Sequence, residues 1–213
     1  MTIVESLIAF SIAAGLLTIT PGLDTALILR TAAVRGASAA WRAALGIGLG
    51  CLVWGAATAL GVGALITAST LAFTVLKWVG AGYLVYLGAK ALLKPRHAFD
   101  VEATEVKPGQ GDSGQGDAFA RGLLTNLLNP KVGVFYISFL PQFVPAGSAP
   151  ALYMFGLAGL HVAMGLLWSA ALILALRPLR AALQKPAVVA WLDRVTGGVF
   201  IGFGVRLALT EHA

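Results

Sequence analysis

Apolar residues come in long runs along this chain, and polar and charged positions collect between them. Six runs stand out, over residues 3–29, 43–66, 71–93, 119–144, 152–176 and 188–209. A helix that crosses a bilayer needs about 20 mostly apolar residues, a length that every run reaches. The pattern predicts an all-α integral membrane protein with six transmembrane helices. The polar intervals orient them. Arg30, Arg35 and Arg42 lie between the first two runs, whereas no basic residue follows the second run before Lys77. Lys90, Lys94, Arg96, Lys107 and Arg121 mark the next interval, and the connection over 145–151 carries no charge. Arg177, Arg180, Lys185 and Arg194 flank the last. Basic residues therefore alternate from side to side. Because they concentrate on the cytoplasmic side of a membrane, both termini are expected outside the cytoplasm. Trp41, Trp78 and Trp191, near the starts of runs, fit an interfacial aromatic belt.

Composition agrees with this pattern. Only 11% of the 213 residues are charged and 58% are hydrophobic, whereas soluble domains carry about 25% charged residues. Topology accounts for the net charge of +6, so membrane lipid is the expected partner and nucleic acid is not. Residues 1–6 include Glu5 but no Lys or Arg. They lack the basic start of a cleavable signal, and the first run reads as a retained helix. A single cysteine, Cys51, excludes an internal disulfide and any paired-cysteine redox or zinc motif. No cofactor is expected.

The Gly- and Pro-rich polar stretch over 94–118 reads as a flexible cytoplasmic linker, dividing the chain into three-helix units over 1–93 and 119–213. The units resemble one another. Gly15-Leu16-Leu17-Thr18 before Pro21 echoes Gly122-Leu123-Leu124-Thr125 before Pro130. Leu76, Val79, Gly82, Gly88 and Lys90 match Leu192, Val195, Gly198, Gly204 and Arg206 at one constant offset. An odd number of spans in each unit makes them inverted repeats, with the first and fourth helices broken at corresponding prolines. Broken helices in matching places point to a transporter's binding site.

Two opposite charges lie at those breaks. Asp24 follows Pro21-Gly22, and Lys131 follows Asn129-Pro130. An ionisable group at membrane depth costs about 2.5–3.5 kcal/mol on insertion scales, so it is a functional-site hypothesis by default. Each break frees backbone groups that only protein or a water-lined cavity can satisfy. Freed amides can hold a carboxylate and freed carbonyls an ammonium. Thr18, Thr20, Thr25, Thr125, Asn126 and Asn129 add side-chain partners nearby, although a threonine can equally bond back to its own turn.

At these residues the chain resembles the LysE/RhtB superfamily of amino-acid exporters. The motifs are Thr20-Pro21-Gly22-Leu23-Asp24-Thr25, then Gly46-Ile47-Gly48-Leu49-Gly50 with Trp54-Gly55, then Leu128-Asn129-Pro130-Lys131. The last runs on through Phe135-Tyr136 to Pro141-Gln142-Phe143. Leu23 departs from the family, which usually has a second proline there. The resemblance implies export of amino acids or related metabolites across the bacterial inner membrane, driven by protons, and a homodimer.

Asp24 is then the candidate proton carrier and ammonium ligand, since burial and a nearby cation act oppositely on a carboxyl group's proton affinity. Lys131 is the candidate carboxylate ligand or the counter-charge of Asp24; a static ion pair joining the helices is the plainer reading. With Asp24 the sole acid well inside a run, neutral amino acids suit the site better than dibasic ones. Trp54, Tyr136, Gln142, His161 and Trp168 are candidate pocket-lining residues. His161 can titrate in the useful range, or be bonded structurally to a neighbouring helix. Gly46/Gly50 and Gly198/Gly202 read as close helix contacts within or between protomers. The alternatives are an exporter of another small solute or metal ion on the same fold, or a non-transporting membrane subunit. Enzyme readings lack a second acid near Asp24 and a serine elbow.

Overall fold

The computed structural model describes residues 2–68, 70–94, 116–175, 181 and 185–209. Among the described residues every regular element is helical. The linker expected over 94–118 lies almost wholly outside them.

Helix α1, Ile3–Ile19, starts on a capping box in which Thr2 and Glu5 satisfy each other's backbone amides. It ends at Thr20, which is extended (φ −68°, ψ 117°). The following proline dictates this, because its ring disfavours the helical conformation in the residue before it. The chain resumes as a helix over Leu23–Ala68, interrupted at Gly36 (φ 82°, ψ 174°). We label the part before Gly36 α2 and the part after it α3. The apolar stretch Leu23–Gly61 is 39 residues long, about 58 Å at 1.5 Å per residue, nearly twice the thickness of a bilayer core of about 30 Å. It must turn, and Gly36 supplies a left-handed φ at no steric cost. The sequence pattern left residues 30–42 as a polar interval between the first two runs. Helix instead persists on both sides of one glycine, because alanines at 32, 33, 37, 39 and 40 keep helical propensity high through the polar interval.

The remaining helices are α4 (Thr70–Leu93), α5 (Gly116–Leu127), α6 (Pro130–Phe139), α7 (Pro150–Leu174) and α8 (Pro186–Leu209), with a 3-10 turn over Leu140–Phe143. Pro130, Pro150 and Pro186 each open a helix, where the missing N–H costs nothing. Ala118–Leu127 and Pro130–Phe143 meet at 55°. By length and apolarity, Leu23–Gly61, Pro150–Leu174 and Pro186–Val205 can cross a membrane, and the bent pair makes a fourth. Ile3–Ile19 and Trp78–Leu93 are shorter apolar helices. The exterior is apolar too: Ile8, Ile12, Leu60, Val79, Leu152, Leu167 and Leu174 are all exposed, which lipid tolerates and water does not.

Glycines set the helix contacts. A Cβ at Gly46 would overlap the Phe119 carbonyl, one at Gly122 would overlap the Ala43 carbonyl, and one at Gly50 would lie 2.6 Å from Asn126 Oδ1. Contacts advance together along both helices, so α3 and α5 run parallel. Gly48 faces Val162 and Gly55 faces Ala158, so α7 runs antiparallel to α3. On α4 and α8, Gly88 abuts Gly197 and Ile201, while Gly204 abuts Ala81 and Val85. Adding the offset of 116 residues turns 81 into 197 and 88 into 204. The two contacts therefore exchange with each other, as they do about a local two-fold axis relating two antiparallel helices.

Buried side chains fall into two cores. The first holds the rings of Phe10, Phe135, Phe139 and Phe143, with Phe200 and Phe203 against them at centroid distances of 4.8–6.2 Å. Ser6 Oγ donates to the Phe143 carbonyl and accepts from Tyr153 Oη at 2.9 Å, closing that end. The second packs Ile28, Leu29, Ala40, Ala43 and Ala44 against Leu172, Ile173, Val189 and Leu192. A cavity opens between them.

Candidate functional site

The two helix breaks meet at this cavity. Its volume is about 710 Å³ including the open mouth, and its wall is built from α1, α2, α3, α6, α7 and the two breaks. Thr20, Gly22, Asp24 and Thr25 reach it from the first break, and Asn129 and Lys131 from the second.

Helix polarity explains where the charges stand. Asp24 occupies the first turn of α2, the positive end of a helix dipole. Its Oδ2 accepts from Asn126 Nδ2 at 2.9 Å. Its Oδ1 is buried and has no hydrogen-bond partner. Lys131 belongs to the first turn of α6, an end that disfavours a cation, but its side chain leaves that helix. Lys131 Nζ lies 3.4 Å from both the Leu17 and Thr20 carbonyls. These are carbonyls that the break at Pro21 leaves without intrahelical partners. The chain's own ammonium thus caps the negative end of α1. It also acts electrostatically on the Asp24 carboxylate across the break. Asn129 fixes the start of α6, its side chain accepting from Lys131 N at 3.1 Å.

Asn126 ties three helices together. It is fully buried, and its single amide nitrogen donates both to Asp24 and to Cys51 Sγ, the latter at 3.4 Å. The absence of a side chain at Gly50 makes room for it. Asn126 therefore holds one carboxylate oxygen of Asp24, while the other has no hydrogen-bond partner. Further along α6 and α7, Tyr136 Oη and His161 Nδ1 are 2.9 Å apart. His161 lines the cavity and Tyr136 stands behind it, fully buried.

Of the remaining residues singled out from sequence, Trp168 lines the wall. Pro21 and Pro130 shape the breaks, and Thr125, half-buried on α5, does not line the cavity. Trp54 packs its ring against Gly133, and Gln142 donates to the Ser138 carbonyl at 2.7 Å. Thr18 and Thr20 bond back to the Ala14 and Leu16 carbonyls, the plainer role open to a threonine, while still facing the cavity. Sequence reasoning missed Cys51, Ser169 and the aliphatic wall of Ile28, Ile47, Val132, Leu166 and Leu172. On α7 a signal was available, because Val162, Gly165, Leu166, Ser169 and Leu172 recur every three or four residues on the face that holds His161.

The site thus combines an acid, an ammonium and exposed helix ends with a mostly apolar wall inside an apolar helical bundle, the features of a membrane transporter. The chain belongs to the LysE type translocator family, whose family model matches residues 16–211. It is 37% identical over 191 residues to the membrane protein PA4757 of Pseudomonas aeruginosa, covering 88% of each chain. It is 29% identical over 209 residues to the leucine efflux protein of Klebsiella pneumoniae, covering 96% of this chain and 95% of that one. Identity to the membrane protein YrhP of Bacillus subtilis is 27% over 209 residues, covering 97% of this chain and all of the other. No solved structure matches the chain.

Proposed function

We propose that this protein exports neutral amino acids with aliphatic side chains across the bacterial inner membrane in exchange for protons. One observation carries the reading: at the junction of two broken helices, a carboxylate with an unpaired oxygen and a lysine ammonium share a cavity whose wall is mostly apolar. A zwitterion complements both charges, its ammonium on Asp24 Oδ1 and its carboxylate on Lys131 Nζ. Ile28, Ile47, Leu166 and Leu172 are left for the side chain. The name of the Klebsiella relative points to the same substrate class.

Competition for one carboxylate supplies the coupling. Carrying a bare carboxylate through a low-dielectric core is expensive. Asp24 therefore crosses either with the substrate's ammonium or with a proton, not with both. The loaded carrier moves outward, the amino acid leaves, a proton takes the place of its ammonium on Asp24, and the carrier returns with that carboxyl neutral and Lys131 still charged. Lys131 goes back to the Leu17 and Thr20 carbonyls when no carboxylate is present.

In this reading six helical spans cross the membrane with both termini non-cytoplasmic. The parallel run of α3 and α5, the antiparallel run of α3 and α7, and the exchangeable contacts of α4 with α8 support two inverted repeats. A homodimer is the assembly we expect. The test is counterflow in proteoliposomes with a panel of labelled amino acids, with and without a pH gradient. Saturable exchange of leucine-like substrates, accelerated by the gradient, is the expected result. No exchange of any amino acid would sink the proposal.

A further inference from the structure

Gly165 lies midway along the face that α7 turns to the cavity, with His161 about one turn before it and Ser169 one turn after. Three glycines line that cavity. A Cβ added at Gly48 would lie 3.2 Å from Val162 Cγ1, and one at Gly22 would lie 3.9 Å from Lys131 Nζ. At Gly165 it would meet no atom within 4 Å. The missing side chain therefore serves no close helix contact, unlike those of Gly46, Gly88 and Gly122. What it leaves is room. Besides His161, Trp168 and Ser169, the neighbours of Gly165 on this face are the aliphatic Val162, Leu166 and Leu172.

We propose that Gly165 sets the size of the side chain this exporter accepts. The inference rests on the amino-acid reading above and deepens it. With the substrate's charged ends fixed at Asp24 and Lys131, only its side chain is free to extend along the aliphatic wall. A substituent at position 165 takes volume from that side chain and leaves the charged ends alone. Small substrates keep their fit and large ones lose it. Because nothing stands within 4 Å of that Cβ, a methyl group there displaces no neighbouring helix, and alanine has a higher helix propensity than glycine.

The experiment compares export of labelled alanine, valine and leucine in proteoliposomes of wild type, Gly165→Ala, Gly165→Val and Gly156→Val. Gly156 is the control: it lies on the same helix, is exposed, and also has no atom within 4 Å. One methylene in a hydrophobic pocket is worth about 10- to 200-fold in discrimination. Gly165→Val should lower the leucine-to-alanine rate ratio by at least about tenfold, with a smaller fall for Gly165→Ala and none for Gly156→Val. If Gly165→Val fails to insert, the alanine variant decides by the same ratio. Unchanged ratios in a protein whose wild type transports the series would overturn the role of Gly165 and leave the export reading standing. A wild type that transports no amino acid would overturn both.

Discussion

Replacing Lys131 with methionine removes the cation from the junction of the two breaks and keeps most of its bulk. Two losses follow. Asp24 is left as a buried acid without its compensating charge, which costs about 3–5 kcal/mol when one partner of a buried pair is deleted. Because Asp24 borders an open cavity, the lower end applies, about 3 kcal/mol. The Leu17 and Thr20 carbonyls also lose their partner. At 3.4 Å each, these contacts are long, and about 1 kcal/mol apiece is the appropriate scale. The total of about 5 kcal/mol corresponds to a fall in melting temperature of about 10–20 °C for a chain of this size. Asp24→Asn alone should cost much less, since it keeps the shape and leaves Lys131 on the helix carbonyls. In the double variant the charge penalty disappears and the carbonyl penalty stays, so about 6–12 °C should return. The assay is thermal unfolding of detergent-solubilised protein, followed by tryptophan fluorescence. If the double variant melts at the sum of the two single losses, the charges do not compensate one another and the electrostatic account of the junction fails.

Three further outcomes follow from the geometry. Gly122→Ala pushes a methyl group into the Ala43 carbonyl; overpacking of this kind costs about 1–3 kcal/mol, so the melting temperature should fall while substrate KM stays constant in the folded fraction. Asn126→Ala removes the amide that orients Asp24; a hydrogen bond to a charged group is worth about 1.5–3 kcal/mol, which predicts a KM for the amino acid about 10- to 150-fold higher. Cys51 lines the cavity and is the single cysteine; because it is buried, a small, membrane-permeant thiol reagent should label it only slowly, and saturating leucine should slow that labelling further, as measured by intact mass.

Much of this site was legible because prolines announce it. Pro21 and Pro130 break helices for local steric reasons, so the breaks, and the Asp24 and Lys131 beside them, could be found without any tertiary information. The long apolar runs likewise placed the later helices to within a few residues, since each begins at or near a proline or a charge boundary. Other features depend on contacts distant in sequence. Nothing local to Lys131 indicates that its ammonium caps a helix more than a hundred residues earlier. Asn126 read as a candidate ligand, and nothing local to it shows its hydrogen bonds to Asp24 and Cys51 or its packing against Gly50. The helical continuation through Gly36 was missed for a different reason: arginines drew attention to the interval, while the alanines around them kept it helical.

The central claim is that a proton and an amino acid compete for the Asp24 carboxylate. The most direct measurement is substrate-dependent proton movement in proteoliposomes holding a pH-sensitive dye, started by a leucine gradient with no initial pH gradient. Wild type should move protons against the direction of leucine flow, and Asp24→Asn should move none. Proton movement in Asp24→Asn equal to that of wild type would contradict the account.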